Sequence, residues 1–344
     1  MVTQEQLQTI LARLPKLSML VVGDFFLDKY LIIDPARNEP SLETGLTAYQ
    51  VVDKRLAAGA AGTVTNNLRA LGVGNVLALG VIGDDGEGYE LRRALQESGA
   101  VTELLLVTEQ RTTPTYTKPL MREPEGEREI NRLDIKNWRP TPPELQDHII
   151  DRLRALATEV DAIVVLDQVA EENCGVITQT VTEALSALGR RYPALPIIAD
   201  SRSRIGHFRD VIIKCNNHEI VAAAYPEHTG EVSEELVRSG ALQLAERTRR
   251  PVFATRGRLG QIVAEGTRAQ EVAAIAVDGP IDVVGAGDAT TAGIACALSC
   301  GASLVEAAFF GNLVASITIQ KLGTTGTATP AEVLARYREQ VEEG

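Results

Sequence analysis

The 344-residue chain is predicted to be a three-layer α/β/α sandwich on a mostly parallel central sheet, with a small β-rich extension. Three observations carry that prediction. Short apolar runs ending in a polar turn alternate with helical periodicity, as parallel strands covered by helices on both faces require. Residues 30–56 break the rhythm, mixing β-formers with Pro35, Asn38, Pro40 and Gly45. No linker composition or internal repeat divides the chain, so residues 1–344 read as one domain.

In order, residues 17–22 are an apolar strand closed by Gly23-Asp24. Val64, Leu68 and Leu71 share one face of a helix beginning near Thr63 and ending at Gly72. Residues 76–81 form the next strand, and Leu91 and Leu95 mark the next helix. Residues 101–108, 115–121 and 130–133 read as strands with partial alternation, the last two joined by a Pro- and Glu-rich connection. Strands over 162–166, 197–199, 211–213 and 252–255 then alternate with helices over 176–188 and 234–247. Residues 289–305, rich in small side chains, read as one buried helix.

Composition narrows the function. A content of 44% hydrophobic and 23% charged residues excludes disorder. Aromatic residues are only 4%, with Trp138 the single tryptophan, too few for stacking on single-stranded nucleic acid. The formal charge of −12 opposes nonspecific binding to DNA or anionic membranes, so no nucleic-acid or membrane partner is expected. Cys174, Cys215, Cys296 and Cys300 form no CxxC pair and read as reduced. Glu5 and a broken apolar pattern disfavour a secretory signal, and no apolar stretch suits a membrane span. A cytoplasmic enzyme is expected.

Residues expected to do chemistry gather where strands end. The sharpest segment is Asp282-Val283-Val284-Gly285-Ala286-Gly287-Asp288, followed by a small-residue helix. Free N–H groups at such a helix start form an anion-binding nest, and Asp288 just inside it can accept a proton from a substrate hydroxyl. There is no Walker A loop, and neither the turn after Val22 nor residues 80–86 has dinucleotide-fingerprint spacing. Asp24 and Asp28 follow the first strand and suit a polyol. Gly59-Ala60-Ala61-Gly62 makes a bend that lets a polar ligand approach the backbone. In Lys214-Cys215-Asn216-Asn217-His218-Glu219, Lys214 can neutralise phosphate, and Asn216 and Glu219 can hold water around Mg²⁺. Thr255-Arg256-Gly257 can contact nucleotide phosphate or ribose.

Taken together, GAGD near the C-terminus, the GAAG bend near the N-terminus and the KxNxxE-like patch between them resemble the PfkB family of carbohydrate kinases, over about residues 17–335. GDFFLDKY, TPTYTKPLM with EINRLD, KLGT and the Gly311-Asn312 region look most like the heptose-7-phosphate kinase domain of the bifunctional ADP-heptose synthesis protein. The resemblance implies a ribokinase-like fold and an ATP- and Mg²⁺-dependent kinase acting on a sugar or sugar-phosphate hydroxyl. It implies Asp288 as catalytic base and Gly285, Ala286 and Gly287 as anion hole. Asn216 and Glu219 would place Mg²⁺, and Asp24 would bind substrate hydroxyls. Asp282 and the Val284 carbonyl would lie near a monovalent cation such as K⁺. Thr255, Arg256, Gly257, Gly260 and Asn312 fall on the nucleotide side. A β-sheet lid over the sugar, from residues 28–55 and 103–135, would build a homodimer, with Leu104, Leu106, Tyr116 and Ile130 as its apolar layer.

The chain departs from the family at Ala58, Ala60, Thr63 and Val284, the positions of a proline, the second glycine, an asparagine and a threonine. Asp28, Gly59, Ala60, Thr63, Lys118 and Arg132 are expected at the substrate, with Arg122, Arg202 and Arg204 as further cations for a phosphorylated acceptor. The alternatives are a kinase for an unphosphorylated hexose, pentose or nucleoside, and a catalytically silent sugar-binding or regulatory protein. No nucleotidyltransferase sequence follows the kinase region, so a single function is expected.

Overall fold

The computed structural model describes residues 2–323 and 325–343. Its central sheet has nine strands, in the order Arg268–Val272, Gln261–Glu265, Val252–Thr255, Ile212–Asn216, Ile197–Ser201, Ala162–Asp167, Ser18–Gly23, Asn75–Gly83 and Leu105–Thr108. Gln261–Glu265 pairs antiparallel with both of its neighbours, and all the other pairings are parallel. Successive side chains enter opposite cores. Leu20, Val22, Ile163 and Val165 pack with the helices Pro143–Leu156, Gln179–Arg191 and Glu234–Thr248. Met19, Val21, Val164 and Leu166 pack with Ala61–Ala70, Ala286–Ser299 and Leu304–Thr318. Burial on both faces explains why these strands are continuous apolar runs.

The order of strands reverses between Ser18–Gly23 and Ala162–Asp167, which opens a crevice at their C-terminal ends. Asp24, Asp167, Ser201, Asn216 and Thr255 all lie along that rim.

Over this rim stands a second sheet of Leu133–Ile135, Thr115–Glu123, Phe25–Ile33 and Val51–Ala60, with Gly126–Glu129 hairpinned onto Thr115–Glu123. Its extent differs from the sequence expectation. Leu105–Thr108 pairs in parallel with Asn75–Gly83 in the central sheet, so residues 103–108 are core edge and not lid. Leu104 and Leu106 consequently pack against the core, and Ile130 lies outside the strands. The connection over 122–129 forms a hairpin, because Gly126 can take the positive φ of its turn. The helix expected over 289–305 is two, divided at Gly301; Ser303 and Glu306 cap the second reciprocally. The first helix, Gln4–Arg13, has a Thr3–Gln6 capping box that the sequence reading passed over.

Within the lid, Leu27 is fully buried and Lys29 pairs with Glu87 and Glu90 of helix Gly86–Glu97. The alternate residues Phe26, Asp28 and Tyr30 therefore face the cleft, with Arg55, Ala57 and Gly59 beside them on one neighbour and Tyr116 and Lys118 on the other.

Ala60, where the lid returns to helix Ala61–Ala70, has φ +53° and ψ −117°. That backbone is strained for a residue with a Cβ, by about 1–3 kcal/mol. Ala60→Gly should stabilise the protein by about 1 kcal/mol after glycine's own entropic penalty. An unchanged or lower midpoint in urea unfolding would show that contacts of the Ala60 methyl outweigh the strain.

Candidate active site

Gly285 adopts φ +80° and starts helix Ala286–Ser299; a Cβ there would stand 2.6 Å from Thr325 Cγ2. The Ala286 amide turns back to the Val283 carbonyl at 3.1 Å, so the expected contribution of Ala286 as a donor is absent. The amides of Gly287 and Asp288 have no acceptor among the described residues. They are the free donors of this helix start. Asp282 Oδ1 accepts from the Val284 amide at 3.0 Å, and the Asp282 amide donates to the Ile319 carbonyl, which pins the turn from outside.

Asp288 is half-buried in the first helical turn. Burial pushes its carboxyl up to about 7, the nearby Asp200 carboxylate adds to the rise, and Lys214 and Arg202 oppose it. Beneath the turn, the Lys214 ammonium is 2.8 Å from Asp200 Oδ2, and both side chains are buried. Thr291 Oγ1 lies 3.1 Å from the same oxygen. A Cβ on Gly287 would stand 2.9 Å from Lys214 Nζ, so glycine lets the cation press against the turn. Asp200 had no assigned role in the sequence reading. Its signal was the one that marked Asp24 and Asn216, a polar residue closing a buried strand.

Asn216 and Glu219 form a capping box on helix Asn217–Ala224. Asn216 Oδ1 accepts from the His218 and Glu219 amides, and Glu219 Oε2 accepts from the Asn216 amide. One oxygen of Glu219 remains without a partner among the described residues, and burial, aided by Asp200, raises its pKa. No group of three His, Cys, Asp or Glu side chains among the described residues forms a metal cluster. A magnesium ion that keeps most of its water and leans on phosphate oxygens needs only one or two such carboxylates. The free oxygen of Glu219 suits that role.

A groove of about 620 Å³ runs from Thr255, Gly257 and Gly260 past Ile275 and Val277 to Ala286 and Gly287. Its walls are mainly apolar, which suits a flat heterocycle. Asn312 lines it, but its amide accepts from Gln261 and donates to the Ala273 carbonyl, holding the wall in place. Arg256 does not face the groove. Its guanidinium is bound by Glu234 and Glu271, while the neighbouring Arg258, which sequence reasoning missed, lines the site.

On the lid side the two early acids differ. Asp24 is buried, and its carboxylate accepts from the amides of Gln168, Val169 and Val176. Both oxygens thus brace the loop after Ala162–Asp167. Asp28 faces the cleft across Gly59, where any Cβ would collide with its carboxylate. It pairs with Lys118 at 2.8 Å, and Lys118 lies over the Tyr30 ring. Arg132 lies over Tyr116, held by Asp134 through two 2.7 Å hydrogen bonds.

Arg204 is not a free cation. It binds Asp167 and the carbonyls of Val169 and Ala170. Arg122 is exposed near the lid hairpin, away from the rim. Arg202 is exposed at the cleft, with no side-chain ion pair among the described residues. Thr63 is buried beside Gly285. All four cysteines are free and buried, and no helix among the described residues is long and apolar enough to cross a membrane.

Bifunctional protein HldE of Citrifermentans bemidjiense is 32% identical over 340 residues, covering 96% of this chain and 66% of the relative. The HldE of Rhodospirillum rubrum is 30% identical, covering 97% of this chain and 65% of the relative. The chain thus spans just under two thirds of the length of these curated relatives. Arabidopsis thaliana ribokinase complexed with ribose and ATP superposes with a TM-score of 0.67 at 17% identity, over 93% of this chain and 98% of that one. Escherichia coli phosphofructokinase-2 in complex with potassium gives 0.70 at 16%, over 94% and 99%. These two likenesses establish the ribokinase-like fold. Residues 26–331 match the model of the pfkB family carbohydrate kinases, and the chain belongs to that family.

Proposed function

We propose that this protein transfers the γ-phosphoryl group of ATP to a hydroxyl of a phosphorylated sugar, a heptose 7-phosphate. The observation that carries the reading is Asp288. Its half-buried carboxyl stands beside two free amides, where the apolar groove and the lid-covered cleft meet. ATP lies in the groove with its terminal phosphate toward Gly287. The acceptor lies under the lid against Asp28 and Gly59. Phosphoryl transfer demands positioning and charge stabilisation more than covalent chemistry. Asp288 orients the attacking hydroxyl and takes its proton. The amides of Gly287 and Asp288 receive the migrating charge, with Lys214 beneath and Arg202 across the cleft. Glu219, with Asn216, would hold Mg²⁺ through water, and the ion would supply neutralisation of phosphate charge. Asp282 and the Val284 carbonyl would be the groups to hold a K⁺ ion beside the turn.

Purified protein incubated with Mg-ATP and a panel of heptoses, hexoses, pentoses, nucleosides and their phosphates tests the reading. Preferential turnover of the heptose 7-phosphate supports it. Preference for an unphosphorylated acceptor overturns the substrate, and no turnover of any acceptor favours a silent binding protein.

The active form in this proposal is a cytoplasmic homodimer joined through the lids. The edge strands Val51–Ala60 and Leu133–Ile135 leave Val51, Val52, Leu133 and Ile135 exposed, and such edges invite pairing. Light scattering should give about twice the 37.0 kDa chain mass. A single species at the chain mass at micromolar concentration would sink the dimer.

A further inference from the structure

The cleft under the lid has two ends, and they differ in whether a carboxylate lines them. One, toward Gln168, is lined by Lys136 and Arg202, with Glu171 in the same wall paired to Lys136 at 3.1 Å. The other is a side pocket of about 310 Å³ between the returning lid strand, helix Ala61–Ala70 and Gly323, Thr325 and Thr327. Its polar lining includes Tyr30, Arg55, Thr63, Asn66, Thr325 and Thr327, with no aspartate or glutamate among the described residues. In a chain with 46 acidic side chains, an acid-free pocket carrying an arginine selects for anions.

Two side chains there are unusual. The Asn66 amide makes no hydrogen bond to any described residue, and its Oδ1 is buried without a partner. Asn67, fully buried, donates to the Thr63 carbonyl at 2.9 Å, but its Oδ1 is likewise unpartnered. Unpaired buried polar atoms are rare and carry a penalty of about 1–3 kcal/mol each. A ligand with both donors and acceptors relieves it. Arg55 stacks near the Tyr30 ring and is paired with Glu127 at the rim, where both partners are partly exposed. An exposed pair of this kind is worth about 1 kcal/mol or less, so an incoming anion can take the arginine. Thr63 and Thr325 in the same wall also flank Gly285. An acceptor whose reacting hydroxyl meets Asp288 therefore extends directly into this pocket.

We infer that this side pocket holds the far end of the acceptor, a phosphate ester on a hydroxylated chain. Arg55 and the Asn66 Nδ2 group donate to the phosphate, and the unpartnered Oδ1 atoms of Asn66 and Asn67 accept from adjacent hydroxyls, with the threonines beside them. The inference rests on the sugar-phosphate reading above and names the residues that enforce it.

Calorimetric titration with heptose 7-phosphate and with the free heptose, in the presence of Mg-ADP, tests it without turnover. The phosphate should bind wild type at least tenfold more tightly than the free sugar. Arg55→Gln, which alters an exposed group and spares the fold, should weaken the phosphate 10- to 100-fold and leave the free heptose unchanged. Asn66→Leu should weaken both. A wild type that does not prefer the phosphate overturns the sugar-phosphate reading and this inference together. A wild type that prefers it, with Arg55→Gln unaltered, overturns the pocket alone and leaves the reading standing.

Discussion

Asp288→Asn is expected to lower kcat by about 10²–10⁴-fold, the usual range for a positioned acid–base group. The replacement keeps the size of the side chain and removes its basicity. Nucleotide affinity should stay within about threefold, because the Gly287 and Asp288 amides, Lys214 and the capping box at Asn216 are untouched. The pH profile supplies an independent check. With its carboxyl pushed up to about 7, Asp288 is a competent base only above that pH, so wild-type kcat/KM should fall about tenfold per unit below it. Stability should move the other way. A carboxyl with a raised folded-state pKa is stabilising below its unfolded value and loses that contribution as pH rises through about 7. The asparagine variant should therefore melt higher than wild type at pH 8, by about 2–4 °C, with the gain shrinking toward pH 4. Near-wild-type turnover with normal binding of both substrates would remove Asp288 as base. Asp28, which faces the cleft, would then be the next carboxylate to test, ahead of the buried Asp24.

The central sheet was legible because its strands are buried on both faces. Residues 17–22 and 162–166 are unbroken apolar runs, each closed by a turn. The lid was harder to bound. Residues 105–108 alternate much as lid strands do, and only their pairing with Asn75–Gly83 assigns them to the core. Motif spacing brought Asp288, Lys214, Asn216 and Glu219 to one rim, since strand ends converge whatever the loops between them. Spacing does not reveal which way a side chain turns. Asp24 and Asp28 are four residues apart, yet one is buried on backbone amides while the other faces the cleft. Arg204 and Arg256 looked like free cations because their partners, Asp167, Glu234 and Glu271, lie 37, 22 and 15 residues away in sequence. Asn66 and Arg55 belong to a pocket that exists only once lid, helix and the residues around Thr325 are folded together.

Lys214→Met is expected to damage both stability and catalysis, and the two losses are separable. The Lys214 ammonium and Asp200 carboxylate are about 95% buried, 2.8 Å apart, so removing the cation strands an anion beneath the active-site turn. Breaking one side of such a pair typically destabilises by about 3–5 kcal/mol. The same cation opposes the rise in the Asp288 pKa, so the acid limb of kcat/KM should shift to higher pH in the variant. Asp200→Asn added to Lys214→Met removes the stranded charge and should recover most of the stability. Turnover should stay low, because the positive charge against Gly287 is still missing where phosphoryl charge accumulates. Lys214→Arg should not rescue, since Nζ already stands 2.9 Å from the position a Gly287 Cβ would take, and a planar guanidinium is wider. If the double variant regains turnover along with its melting temperature, Lys214 serves only to neutralise Asp200. Its charge would then have no part in phosphoryl transfer.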